Sequence, residues 1–290
     1  MKRVILCPNP YRDKGLSAAK EADGILRSAG LETVYCLPFK PEGGEGQFGV
    51  TCRPLQQELR SSDLVVAFGG DGTILHLARA ASMRGVPVLG VNLGSLGFMS
   101  DLEAGELALL KNLASGRFRR EKRMMLDVAV VREGRTVYTS GALNDAVVTK
   151  GAIARVVRLQ VSAGEEHLGV FAGDGVVVAT PTGSTGYSLS AGGPIVEPTA
   201  QNFVISPICA HTVFAKSFVL SAAGTVAVSP VESRKQVYLS VDGGKAFALR
   251  YGDKVRICRS RYETELLRLT DRSIYEILRT KMTGGIGHEK

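Results

Sequence analysis

Acidic residues set in glycine turns are the feature of this chain most suggestive of chemistry. Gly69-Gly70-Asp71-Gly72 follows the apolar run LVVAF at 64–68 and leads through Thr73 into a helical pattern, with Ile74, Leu77 and Ala78 on one face. The run predicts a buried parallel strand. A strand, a glycine turn and a helix N-terminus make an anion site, because unpaired N–H groups and the helix dipole point at the turn. Asp71 is out of place in such a cradle, since a carboxylate repels phosphate unless it holds a metal ion or takes a proton. Two readings of the tetrad alone stay open: a phosphate loop, or a tight turn with Asp71 as helix N-cap.

Three further polar clusters follow. They are Asn144-Asp145, then Asp174 in FAGDG at 171–175, then Asp242 in the stretch Val241-Asp242-Gly243-Gly244. Each is compatible with hairpin punctuation, and Asp242-Gly243 reads first as a turn. The segment Gly183 to Gly193 resists that reading. It carries no charge but is rich in Gly, Ser and Thr, with one Tyr, and so offers amides and hydroxyls to a closely fitted ligand. Other chemistries lack their signatures. No GxxxxGK[ST] or GxSxG occurs. His76, His167, His211 and His288 have no zinc-site spacing. The formal GxGxxG at 44–49 has no strand before it and no helical period after it.

The elements that must position these residues alternate first and then change character. Residues 2–7, 33–37, 64–68 and 86–91 read as strands, and 14–29, 53–61, 73–81 and 103–114 as helices, with 38–49 as a loop. Such alternation predicts an α/β domain, Rossmann-like, with a doubly wound parallel sheet. Ligands of such a sheet sit at the carboxyl ends of its strands, where the glycine tetrad and the Asn92 loop fall. The basic run Arg117, Arg119, Arg120, Lys122 and Arg123 marks a boundary and reads as a solvated face. Beyond it, short β-branched runs to about residue 268 predict an all-β, sandwich-like domain. Residues 271–282 are helical again. The expected domains are 1–118, joined by 269–290, and 119–268.

Composition bounds the rest. The 290 residues suffice for two domains, and 44% hydrophobic with 22% charged residues describes a globular chain. The net charge of +8 suits an anionic ligand, but no aromatic-interleaved basic stripe points to nucleic acid. Five scattered cysteines, never in CxxC, favour free thiols in a reducing compartment. The N-terminus is too short for a signal h-region, and the uncharged stretch 175–196 is too rich in Gly and Pro to span a membrane. A cytoplasmic protein with neither membrane nor nucleic-acid partner is expected.

Taken in order, FGGDGT at 68–73, NLGSLGF at 92–98, LND at 143–145, GDG followed by TPTGSTGYSLSAGGPI at 173–195, PICAHT at 207–212 and VDG at 241–243 resemble the NAD kinase family over about residues 1–283. The tetrad alone is shared with diacylglycerol-type lipid kinases and phosphofructokinases; the TPTGSTGYSLSAGGP segment separates the family from both. The resemblance implies transfer of the ATP γ-phosphoryl to the 2′-hydroxyl of the adenosine ribose of NAD. ATP, or polyphosphate, would be the donor, with Mg²⁺ or another divalent cation.

The resemblance also assigns residues. Asp71 would be the catalytic base, with Gly69, Gly70, Gly72 and Thr73 around the phosphates. Asn144 and Asp145 would hold the ribose and adenine side of NAD. Arg155, Asp174, Thr185, Gly186, Tyr187, Ser188, Leu189 and Ser190 would line the NAD site, and His76 falls at a family binding position. In the family the pocket lies between the domains and is completed by a neighbouring subunit, which implies a homodimer or homotetramer. Asp145 stands where the family usually has Glu, Ala172 where Arg is common, Gly244 where Gln is usual, and Gly186 where Ala is usual. A lipid or sugar kinase sharing the tetrad and a non-catalytic dinucleotide-binding protein are the alternatives.

Overall fold

The computed structural model describes residues 1–42, 44–94, 97–151, 155–211, 216–232 and 235–283. Ser95, Leu96 and Thr212 of the quoted motifs, and the last seven residues of the expected C-terminal segment, lie outside the described residues. The chain divides into two compact units, Met1–Lys122 with Thr264–Lys290, and Arg123–Glu263.

The first unit is built on four parallel strands: β1 (Arg3–Pro8), β2 (Glu32–Tyr35), β3 (Leu64–Gly69) and β4 (Val88–Asn92), in the order β4-β3-β1-β2. β1, β3 and β4 are mostly Val, Leu, Ile and Ala because both faces are covered, whereas the edge strand β2 is Glu-Thr-Val-Tyr. Val4 and Leu6, with Leu64, Val66, Phe68, Leu89 and Val91, pack on one face against α1 (Ser17–Ser28) and the turns Ala104–Leu113. The other face receives the helix α3 (Asp71–Ser82), whose Ile74 lies over Gly90; α2 is the single turn Leu55–Glu58. Helices on both faces make the sheet doubly wound.

Two elements of this unit differ from expectation. Residues 104–113 wind as 3-10 turns and not as an α-helix, opened by a capping box between Glu103 and Glu106. The loop at 38–49 contains a 3-10 turn, Glu45–Phe48, whose Phe48 joins the core. The C-terminal helix is Ile274–Thr283.

The second unit is a β-sandwich. One antiparallel sheet runs Phe218–Ser221, Asn202–Ile208, Gly175–Ala179, Asp145–Lys150, Val237–Val241 and Phe247–Leu249. Facing it, Glu166–Gly173 pairs with Val157–Ala163, which pairs with Thr225–Pro230, itself bonded to residues 255–258. Alternate residues of both sheets meet in one core that includes Leu126, Val148, Leu159, Val176, Phe203, Val228, Leu239 and Ile257. The basic run is not wholly solvated. Arg123 is 3% exposed and donates to Thr182 Oγ1 at 3.2 Å, because it begins the inward-facing stretch of its strand. No helix among the described residues is long and apolar enough to cross a membrane.

Candidate functional site

In the first unit β3 ends at Gly69, and α3 begins at Asp71 with Gly70 as its N-cap. Gly70, and not Asp71, is thus the N-cap, which corrects the capped-turn reading of the tetrad. Asp71 is the first helical residue, and its carboxylate turns away from the helix. Its Oδ2 accepts the Phe98 N–H at 2.8 Å and its Oδ1 accepts the Met99 N–H at 3.1 Å. The acid is therefore aimed by the loop after β4, with part of its surface still exposed. Gly97 makes room for it: a Cβ there would stand 2.8 Å from Asp71 Cγ and 2.8 Å from Ser100 Oγ.

Thr73 is buried one turn behind, with its Oγ1 accepting from Asn9 Nδ2 at 3.2 Å. Register Gly69↔Asn92 brings the Asn92 loop beside the tetrad, and the Leu93 N–H donates to the Gly69 carbonyl at 2.8 Å. His76 is exposed, its ring 4.6 Å from that of Phe39.

The second unit gathers Asn144, Asp145, Asp174 and the 183–190 segment. Asn144 sits in a bend between the strands 135–142 and 145–150. Its carbonyl accepts the Thr180 N–H at 2.8 Å, and Thr180 Oγ1 donates to the Leu143 carbonyl at 2.6 Å. The N–H groups of Leu143, Asn144 and Asp145 all donate to Asp242, at 2.7, 2.8 and 3.0 Å. With its backbone satisfied, Asn144 keeps a buried group without a partner, its side-chain Oδ1. A buried acceptor left open is costly, and it marks where a ligand donor belongs.

The residues 182–185 form a 3-10 turn and 187–190 a helical turn. Gly183 lies flat on Asn144, where a Cβ would come within 2.6 Å of the Asn144 carbonyl carbon. Past it, Tyr187 is 44% exposed and Leu189 40%, while Ser188 is buried and bonded to Ser206. Burial, and then Cys209, Asp174 and Asp145 nearby, raise the Tyr187 phenol above its usual range. Asp174 pairs with Lys150, Nζ to Oδ1 2.6 Å. Asp145 is 6% exposed, and burial, followed by the neighbouring charge of Asp242, pushes its carboxyl up to about 7. Burial raises Asp242 as well, against the pull of the three N–H groups it accepts.

Arg155 is exposed and, among the described residues, joins none of these contacts. Sequence reasoning assigned no role to Thr180, Lys150, Phe98 and Met99, which act through backbone or paired charge, and read Asp242 first as a turn and then as part of the VDG motif, without its partners. Asp242 and Gly243 do have φ of 47° and 67°, as a type I′ turn requires. Among the described residues no three His, Cys, Asp or Glu side chains gather as a metal site.

A strand–glycine–acid turn on a doubly wound sheet and a polar, uncharged segment on a β-sandwich suit a protein that handles phosphate and a polar ligand. Comparison with known proteins narrows this. The family model described as the ATP-NAD kinase N-terminal domain matches residues 51–117, and that of the ATP-NAD kinase C-terminal domain matches 143–269. The NAD kinase of Natranaerobius thermophilus is 40% identical over 286 residues, 98% of this chain and 99% of that one. The NAD kinase of Symbiobacterium thermophilum is 47% identical over 223 residues, 77% of this chain and 79% of that one.

Among solved structures, yeast NADH kinase complexed with NADH superposes with a TM-score of 0.83 at 25% identity, covering 100% of this chain and 89% of that one. An NAD kinase from Archaeoglobus fulgidus in complex with ATP gives 0.73 at 23% identity, over 96% and 98%, a likeness of fold. The chain belongs to the NAD kinase family.

Proposed function

We propose that this NAD kinase moves the γ-phosphoryl of ATP to the 2′-hydroxyl of the adenosine ribose of NAD, giving NADP and ADP, with Asp71 as the base. The observation that carries the assignment is the Asp71 carboxylate, held by the Phe98 and Met99 amides and placed in a glycine turn at a helix N-terminus. Phosphoryl transfer asks the protein chiefly for positioning and charge stabilisation. Asp71 accepts the hydroxyl proton as the ribose oxygen attacks phosphorus, and ADP leaves. Gly69, Gly70, Gly72 and Thr73 leave the donor phosphates close to backbone N–H groups. A divalent cation brought with ATP would neutralise phosphate charge beside the turn of Gly69, Gly70, Asp71 and Gly72.

On the acceptor side, the free Asn144 Oδ1 supports a hydrogen bond from a ribose hydroxyl. Asp145, raised to about 7, keeps a proton on part of the molecules at neutral pH and can donate as well as accept. Thr185, Gly186, Tyr187, Ser188, Leu189 and Ser190, with Asp174 and Arg155, complete the NAD site in this reading, and His76 contributes from α3. The same reading includes polyphosphate as an alternative donor, a homodimer or homotetramer, and a cytoplasmic location that suits five cysteines of which none forms a disulfide.

The test is direct. Purified protein with NAD, ATP and Mg²⁺ should produce NADP, and Asp71→Asn should abolish it while NAD still binds by calorimetry. Binding without turnover in the parent protein would leave a dinucleotide-binding protein. Phosphorylation of a lipid or sugar with NAD inert would leave the other kinase class.

A further inference from the structure

We propose that Asp242 is a positioning residue for the acceptor substrate: its carboxylate fixes the Leu143–Asp145 backbone and so sets where the Asn144 and Asp145 side chains meet NAD. The inference rests on the NAD site proposed above. An aspartate at the first position of a type I′ turn needs only to tolerate a positive φ, here 47°. Its carboxylate could simply face water. Instead it reaches back about a hundred residues in sequence. Oδ2 accepts the Leu143 N–H at 2.7 Å, and Oδ1 accepts those of Asn144 and Asp145 at 2.8 and 3.0 Å. The Asp242 N–H returns a bond to the Asp145 carbonyl at 3.0 Å.

Thr180 completes the clamp from the other side. It holds the Leu143 carbonyl through its hydroxyl and the Asn144 carbonyl through its N–H. Every backbone donor and acceptor from Leu143 through Asp145 is thus committed to Asp242 or Thr180. Only side-chain groups remain for a ligand, among them the unpartnered Asn144 Oδ1. No neutral side chain of the same size replaces the clamp. An asparagine at 242 offers one oxygen, and its NH₂ would face backbone N–H groups, donor against donor.

The experiment uses the full chain with Asp242→Asn, varying NAD and ATP separately and measuring NAD affinity by calorimetry. KM and Kd for NAD should rise by about tenfold or more, with KM for ATP changed less than about twofold, since a misplacement of about 1 Å is this costly. A double-mutant cycle tests the route. In an Asn144→Ala background the further loss of NAD affinity from Asp242→Asn should shrink by at least about threefold relative to the parent, to the share carried by Asp145, because part of both changes acts on the same contact.

A folded Asp242→Asn protein with parental KM and Kd for NAD overturns the role. Equal rises in both KM values, or full additivity in the cycle, do the same. Should that variant not fold, Asp242→Glu is judged by the same NAD and ATP criteria. Hydrogen exchange on the parent provides a check that needs no variant, and rapid exchange at the amides of 143–145 overturns the clamp. A parent that neither binds nor phosphorylates NAD overturns the reading beneath this one, and this one with it. An active parent with an unchanged variant overturns the Asp242 role alone.

Discussion

Met99 joins Arg268 to Asp71: Arg268 Nη1 donates to the Met99 carbonyl at 3.0 Å, and the Met99 N–H donates to Asp71 Oδ1 at 3.1 Å. The same guanidinium nitrogen also bonds the Ser100 carbonyl at 3.1 Å. Asp101, next along, accepts the Leu269 and Thr270 N–H groups at 2.6 and 3.2 Å. The C-terminal return of the chain therefore holds the loop that aims the acid.

Arg268→Leu should lower kcat by about tenfold or more through loss of that aim, with NAD affinity unchanged. Arg268 is 8% exposed and Asp101 5%, 3.9 Å apart, so removing the cation also takes a counter-charge from a buried carboxylate that keeps its Leu269 and Thr270 bonds, at a cost of about 1–3 kcal/mol in stability. Steady-state kinetics with calorimetry and urea unfolding separate the two effects. A variant with parental kcat would show that the loop aims Asp71 without Arg268.

Asp71→Asn should remove about 10²–10⁴-fold of the rate, the range supplied by a positioned base. The asparagine also turns one N–H donor toward the amides of Phe98 or Met99, so the side chain should rotate off its mark. Single-turnover NADP formation from preloaded NAD and ATP reads the chemical step. Persistence of more than about a tenth of the parental rate would take the base assignment away from Asp71.

Glycine content at the cradle makes a paired test. A Cβ at Gly183 would come within 2.6 Å of the Asn144 carbonyl carbon, whereas at Gly192 nothing lies within 4 Å, although φ there is 84°. Gly183→Ala must push the 182–185 turn off Asn144, with an expected rise in the NAD KM of about tenfold and a stability loss of about 1–3 kcal/mol. Gly192→Ala carries only backbone strain, of order 1 kcal/mol, and should leave the NAD KM near parental. Equal effects on KM in the two variants would contradict close packing as the reason for Gly183.

What the sequence made legible was pattern. The apolar runs of β1, β3 and β4 announced a parallel sheet, and the β-branched runs after residue 123 announced the sandwich. Asp71, Asn144 and the 183–193 segment stood out because acid or amide beside glycine is poor core chemistry. Asp242 was visible as a turn residue in the VDG motif but its role was not, since its partners are backbone N–H groups 97 to 99 residues away that any sequence would supply. Arg268 and Thr180 were silent for the same reason, as they hold carbonyls. Arg123 was misread because charge alone does not reveal burial beside Thr182. Residues 104–113 missed as an α-helix because apolar spacing does not separate α from 3-10 winding at this length.

Asp145 ties stability to pH in a direction opposite to that of most carboxylates. Its folded-state pKa is pushed up to about 7, by burial first and then by Asp242, from a value of 3.8 when unperturbed. Folding thus favours the neutral acid. The contribution is fully present below the unfolded value and is lost as pH rises through about 7. Asp242 is raised too, so it adds to the same trend. At about 1.4 kcal/mol per pH unit for one proton, the parent should lose on the order of 2 kcal/mol from Asp145 between pH 5 and pH 8. Asp145→Asn carries no titrating proton. Its stability relative to the parent should therefore climb over that interval, while its NAD affinity no longer depends on the titration. Urea unfolding of both proteins at pH 5, 6.5 and 8 measures the difference, and the other titrating groups cancel between them. A parent-to-variant difference that stays flat across the interval would mean that Asp145 ionises in its ordinary range despite its burial.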